Sequence, residues 1–298
     1  MNPLPNPRRP SAAWSRLKGP PSDPLENIGL PLLDFKTQET YYTKIVERYM
    51  KFCASHGSNE RPHGLDKAFA SLSLVPEPSA LATTIVDLKA STSSIPTLEN
   101  ITSAELSTIM MAMRKLREAI VASGRTDVFA QRAYVFIIRA TILTKHMESY
   151  HPAILHLLHV IHPVTPLPSP EAHEFVGYYI LDLACRLHEL GDAYRVRHIY
   201  NLQDRLVDAV LDALVHDNWF TFWRLRRAVD GYQKRLLEWT EDDMRIHALK
   251  CLGRSYMGAS KAYIERCTDR EWEVLQKNNR VGWELDGEKV IIRRPKNK

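Results

Sequence analysis

The chain changes its hydrophobic period near residue 280, and this change constrains the fold most. Before it, apolar residues recur at three- and four-residue steps through one segment after another, the spacing of helices that bury one face. After it, VGWELDGEKVIIRRP alternates apolar and polar residues around Asp286-Gly287. Alternation puts successive side chains on opposite faces of a strand, and an Asp-Gly pair suits a type I′ turn, so the stretch reads as a β-hairpin. The expected class is therefore mainly α, ending in one small β element.

In chain order, residues 1–36 are rich in proline (NPLPNPRRP, KGPPSDPLENIGLPLLD). Proline fixes φ and removes donors, so a disordered arm is expected, weakly basic through Arg8, Arg9, Arg16 and Lys18, with Trp14 as a docking residue. Residues 37–56 form an N-terminal helix with Tyr41, Ile45, Tyr49 and Phe52 on one face. Residues 57–100 (SLSLVPEP, KASTSSIPTLEN) read as a weakly ordered linker with a short helix at 81–88.

Residues 101–239 read as a helical array. Thr102 and Glu105 form a capping box at the first start, and Gly124 ends that helix. Asp127 caps VFAQRAYVFIIRATILTKHMES, apolar on most sides and hence central. HPAILHLLHVIH follows with Pro152 in its first turn. Ser169-Pro170 opens a helical hairpin that turns at Gly191-Asp192, with Ala184 and Ala193 small enough for close approach. LQDRLVDAVLDALVH buries Leu206, Val207, Val210, Leu211 and Leu214, and Asp217 caps the next helix. No strict period runs through these pairs, so a HEAT/TPR-like repeat is one of structure and not of sequence. In residues 240–298 Thr240 and Asp243 cap a helix closed by Gly258, and two short helices precede the hairpin. That order fits a C-terminal winged-helix subdomain fused to the array.

Between the two halves lies HDNWFTFWRLRRAVDGYQKRLLEW, which holds three of the six tryptophans. Trp219, Phe222, Trp223 and Trp239 are expected to pack at the seam between array and wing, with arginines along the surface. A sharper reading joins Arg224, Arg227, Lys234 and Arg235 to Lys277, Arg280, Arg293, Arg294 and Lys296 in one basic face for nucleic-acid phosphates.

The candidates for chemistry are few. The chain has no G-x-S-x-G, no phosphate loop, no H-E-x-x-H and no G-x-G-x-x-G. His146, His151, His156, His159 and His162 crowd one region, yet no carboxylate or cysteine stands beside them in register, so a helical face is expected over a metal site. Cys53, Cys185, Cys251 and Cys267 are far apart and read as small apolar residues in a reducing compartment. A net charge of +5 permits an acidic partner or nucleic acid without arguing for one. No run reaches the roughly 18 apolar residues of a membrane span, and MNPLPNPRRP lacks the apolar core of a secretory signal. The expectation is a non-enzyme with no cofactor, no metal, no small-molecule substrate and no membrane contact, in the cytoplasm and/or nucleus.

Four stretches carry a family resemblance. GYYILDLACRLHELGDAYRVR resembles a late helical pair, ALVHDNWFTFWRLRRAV a helix end, polar break and aromatic N-x-x-x-F start, and MRIHALKCLGRSY with VGWELDGEKVIIRRP the first helix and terminal wing of a winged helix. Together, over residues 152–294, they resemble the PCI domain. The nearest branch holds the small proteasome-lid, signalosome and translation-initiation-factor-three k-type subunits and GANP-like proteins. The resemblance implies a non-enzymatic scaffold subunit whose partners are other PCI-type subunits. Its wing, through Val290, Ile291 and Ile292 with Trp283, offers a sheet edge to a neighbour. The alternatives are a PCI-type adaptor that binds RNA or DNA in mRNA processing or export, and a small helical metalloenzyme using the histidines from His146 to His162.

Overall fold

The computed structural model describes residues 30–56, 98–229, 231–279 and 281–293. They are mainly helical, with three short strands near the C-terminal end. The proline-rich arm up to residue 29, Trp14 included, and the expected helix at 81–88 lie outside the described residues. The chain divides into two compact units, Met1–Phe52 with Ser94–Gly124, and Cys53–Ser93 with Arg125–Lys298.

In the first unit, α1 (Phe35–His56) buries Tyr41, Ile45 and Tyr49 at four-residue steps, and α2 (Leu98–Ala122) buries Ile109, Met113, Leu116 and Ile120 at steps of four and three. Gln38 is fully buried, and its amide donates to the Leu32 and Ala119 carbonyls at 2.9 and 3.3 Å and to Ser123 Oγ at 3.0 Å. Those bonds tie the start of α1 to the end of α2. Gly124, at φ 62°, follows α2 in the left-handed region. α2 begins at Leu98, so Thr102 is not the expected cap but an interior residue. The T-x-x-E spacing is also an ordinary i,i+3 helix spacing and does not by itself mark a first turn.

The second unit opens with α3 (Val128–Leu143), capped by Asp127 accepting from the Ala130 amide. It buries Tyr134, Val135, Phe136, Ile137 and Ile138 in succession, which requires cover on every side. α4 (Met147–His156) and α9 (Gly231–Leu237) supply part of it. The expected single helix from Val128 to Ser149 is broken by Lys145, at φ 55°. α4 therefore starts at Met147, and Pro152 lies in its interior and not in the first turn. There it leaves one carbonyl of the preceding turn without its helical donor. The chain continues through a π-turn, Leu157–Ile161, to Val164.

α5 (Ser169–Cys185) packs along α6 (Leu190–Ile199) as expected of a helical hairpin. The turn, however, falls at His188, φ 59°, while Gly191 and Asp192 lie in the first turn of α6. α7 (Arg205–Val215) buries Val207, Val210 and Leu211 and packs against α5 and α8 (Trp219–Ala228). Asn218 caps α8, its side chain accepting from the Thr221 amide at 3.1 Å. Asp217, the expected cap, instead takes the left-handed turn position at φ 50°. α9 returns to lie against α3 and α5.

From Glu241 the second unit runs α10 (Glu241–Ser255), β1 (Gly258–Ser260), α11 (Lys261–Thr268), α12 (Trp272–Asn279), β2 (Glu284–Asp286) and β3 (Lys289–Ile291). The sheet is antiparallel, in the order β1-β3-β2. Its inner face closes over Leu249, Leu252, Ile264, Cys267, Trp272, Leu275, Val290 and Ile292. Two caps differ from expectation: Thr240 precedes α10 without a side-chain bond, and Gly258 belongs to β1, α10 having ended at Ser255. A Cβ at Gly258 would come 3.0 Å from the Val290 carbonyl oxygen, so the glycine is needed for close approach of β1 to β3. In the hairpin Asp286 pairs with Lys289, leaving Gly287 and Glu288 as the turn. Only Gly287 has a positive φ, 57°, the pattern of a type II′ turn, not of the type I′ turn expected at Asp286-Gly287.

One buried charge anchors α4 to α5. Asp182, fully buried, accepts from Tyr150 Oη at 2.8 Å and from Arg186 at 2.6 Å, and lies 2.8 Å from His151 Nδ1. Burial pushes its carboxyl up, but the bonds from Arg186, His151 and Tyr150 outweigh burial and hold it below the usual aspartate range. The folded value is therefore below the unfolded one of about 3.9. The stabilisation is complete above that value and is lost as pH falls through the folded value. Asp182→Asn is expected to lose about 3–5 kcal/mol at neutral pH and to flatten the acid limb of stability, read by urea unfolding across a pH series. Parallel acid limbs for the two proteins would place the acid sensitivity elsewhere.

Candidate functional site

The described surface with most to say about function is the joint between the helices and the C-terminal sheet. α8 supplies its centre, because a three- and four-residue spacing puts Trp219, Phe222, Trp223 and Arg226 on one side of that helix. Phe222 and Trp223 are buried edge to face with ring centroids 5.0 Å apart. Trp223 Nε1 donates to the Cys267 carbonyl at 2.9 Å, across to α11. Trp219 packs against the apolar cluster beneath the sheet. Trp239, grouped with them from sequence, stands elsewhere: Lys145, in the break between α3 and α4, lies 4.5 Å from its ring centroid.

Charged groups frame these rings. Arg245 of α10 is 2% exposed, 5.3 Å from the Trp223 ring centroid, and donates to the Thr268 carbonyl at 3.0 Å and to Asp242 at 2.5 Å. Burial and the nearby Arg270 charge pull its pKa below the usual arginine range, against the acids Asp242, Glu241 and Asp269. Arg226 bonds Glu241 and lies 3.8 Å from Asp269, which Arg227 reaches at 2.6 Å. Sequence reasoning missed Arg245, Glu241 and Asp269. The i,i+4 pair Glu241/Arg245 was visible, but nothing in the sequence tells that the arginine points inward.

The proposed basic face is divided. Arg227 is spent on Asp269 and Arg235 faces Glu238 at 3.2 Å. Arg293 donates to the Arg254 carbonyl. Arg224 on α8, Lys234 on α9 and Lys277 on α12 are exposed. Arg280, Arg294 and Lys296 lie outside the described residues.

The candidate docking edge also moves. β3, which carries Val290 and Ile291, is the central strand, paired with β1 on one side and β2 on the other. Val290 and Ile292 are buried in the core, Ile291 is half-buried, and Trp283 packs against the Gly253 position of α10. The outer strand on the hairpin side is β2. The sequence missed β1, three residues with a glycine, and without it the hairpin's second strand looked like an edge.

The histidines act singly. His151 meets Asp182, a carboxylate that the sequence reading did not anticipate because it comes from α5. His156 stacks on Tyr134 with centroids 4.9 Å apart, and His162 Nδ1 accepts from the Leu167 amide at 3.0 Å. His159 is exposed, and His146 precedes α4. Among the described residues no three of His, Cys, Asp and Glu gather as a metal site, and no helix is long and apolar enough to cross a membrane. No disulfide forms among the described residues, and burial pushes up the Cys185 and Cys267 thiols. Compared with protein-family models and with curated proteins, the chain matches none.

Trp223 offers a graded test of the joint. Trp223→Ala is expected to cost about 3–5 kcal/mol in urea unfolding. Trp223→Phe keeps most of the ring but strands the Cys267 carbonyl, at about 1–3 kcal/mol. Losses of only a few tenths in both would mean that the ring does not hold the two parts together.

Proposed function

We propose that the chain is a non-enzymatic scaffold subunit of PCI type, a helical-repeat array fused to a winged helix, which joins other subunits in a multisubunit assembly. One observation carries the reading. The C-terminal part follows the order helix, strand, helix, helix, strand, strand, with a three-stranded antiparallel sheet in the order β1-β3-β2. That order is the one a winged helix requires. It also runs directly from the helices before it: α9 ends at Leu237 and α10 begins at Glu241. Within the second unit α8 packs against both α7 and α11, so its rings and charges join the helices there to the part that carries the sheet. A joint of this kind suits a part that must present two surfaces to neighbours.

The proposed work is binding, and its cost is set by preorganisation: a partner meets a sheet already ordered by its own core, so little chain entropy is lost on docking. The expected residence is the cytoplasm and/or nucleus.

Purification of the full chain from its native cells, followed by size-exclusion chromatography and mass spectrometry, tests the proposal. The expected outcome is a stable stoichiometric complex with other subunits that carry a helical array and a winged end. A chain that elutes alone overturns it. In the same study, RNA and duplex DNA are titrated at about 150 mM salt. Binding well below the roughly micromolar non-specific range, lost on Arg224→Ala, Lys234→Ala and Lys277→Ala together, would replace the scaffold with the nucleic-acid adaptor.

A further inference from the structure

From the geometry of the sheet's outer strand we infer that β2 docks an extended segment with a basic–apolar–basic triplet, added as a fourth strand beside Leu285. The inference rests on the scaffold reading and names the chemistry of one partner.

The backbone register shows what the edge offers. Lys261 N donates to the Glu288 carbonyl at 2.9 Å, and Ile292 N to the Met257 carbonyl at 2.9 Å. Residues 288 and 292 of the β3 segment therefore bond toward β1, and alternation assigns Val290 to the same side. Lys289 and Ile291 then bond toward β2, where their partners are Asp286 and Glu284. Leu285, between them, turns its N–H and C=O outward. Among the described residues no strand lies on that side of β2. A new antiparallel strand can exchange both backbone bonds with Leu285.

The side chains specify what that strand carries. Leu285 is opposite Val290, so it lies on the inner face, and it is 41% exposed. The incoming residue opposite Leu285 places its side chain on that same face and must be apolar. Glu284 and Asp286 lie on the outer face, both exposed, with exposed Glu288 in the adjoining turn. The residues on either side of the incoming apolar one fall opposite these two acids and must be basic. A second copy of β2 is a poor occupant, since antiparallel pairing about Leu285 sets Glu284 against the other copy's Asp286. Nucleic-acid phosphates meet the same acids.

Leu285→Pro separates this edge from the rest of the fold. It removes the outward N–H but no N–H of the β2–β3 ladder, and proline is tolerated on an edge strand in that orientation. The probes are a fluorescent peptide alternating arginine and valine, one alternating glutamate and valine, and one with the arginines clustered. The full chain is expected to bind the first, more weakly as salt rises, and neither of the others. Leu285→Pro, its stability checked by urea unfolding, is expected to weaken that binding about tenfold or more. The pair Glu284→Lys with Asp286→Lys keeps the ladder and should exchange preference to the glutamate peptide, which keeps the test decisive if the proline variant does not fold. Equal binding by Leu285→Pro and wild type, or equal binding of alternating and clustered arginines, overturns the inference. So does a dimer of the wild-type chain that Leu285→Pro dissociates. If companion subunits remain on the Leu285→Pro chain, the scaffold stands and the edge assignment fails. If no companions exist but the peptide still depends on Leu285, the edge stands and the scaffold fails.

Discussion

Trp223 is buried, 1% exposed, and has one polar atom, Nε1, which must find an acceptor inside the protein. The acceptor is the Cys267 carbonyl in the last turn of α11. Carbonyls in a last helical turn have no partner within the helix, so the indole satisfies a group that burial would otherwise penalise. Arg245 repeats the solution one residue on, donating to the Thr268 carbonyl. Two side chains, one from α8 and one from α10, thus close the end of the same helix. The orientation of α11, and with it the sheet that packs on α11, depends on this closure. Burying the Arg245 charge is tolerable because Asp242 and Glu241 lie close by and the guanidinium spreads its donors over several acceptors.

Sequence made some parts of this arrangement legible and left others hidden. Alternation in VGWELDGEKVIIRRP gave two strands, because a two-residue period survives over even three residues when a turn signal divides it. β1 was hidden because Gly258-Ala259-Ser260 contains no β-branched or aromatic residue, and its strand state comes from the β3 partner alone. The one-residue shift of the turn from Asp286-Gly287 to Gly287-Glu288 follows from Gly287 being the residue with positive φ, which fits both turn types. The left-handed turns at Lys145 and His188 were missed, and the break at Asp217 was read as a cap, for a common reason. Each takes the left-handed conformation without being glycine, although aspartate and histidine are among the types that enter it most readily. The aromatic face of α8 was legible because its spacing is that of a helix, and the burial of Phe222 and Trp223 agrees. Its acid partners, Glu241 and Asp269, come from other elements, and no local pattern reaches across 15 and 42 residues.

Charge shows the same limit of a whole-chain reading. The chain carries +5 overall, yet the hairpin from Glu284 to Glu288 holds three acids and no base. Fields between exposed charges fade over about 8 Å at physiological salt, so a docking segment feels the residues of one short strand and its turn, not the total. Lys289, across from Asp286, softens this field without reversing it. A three-residue edge is also too short for backbone bonds alone to select a partner, since only one residue exposes both its donor and acceptor outward. Selectivity must then come from side chains. On β2 these are one leucine between two carboxylates, an arrangement that disfavours its own copy by like charge and admits a strand of the opposite pattern.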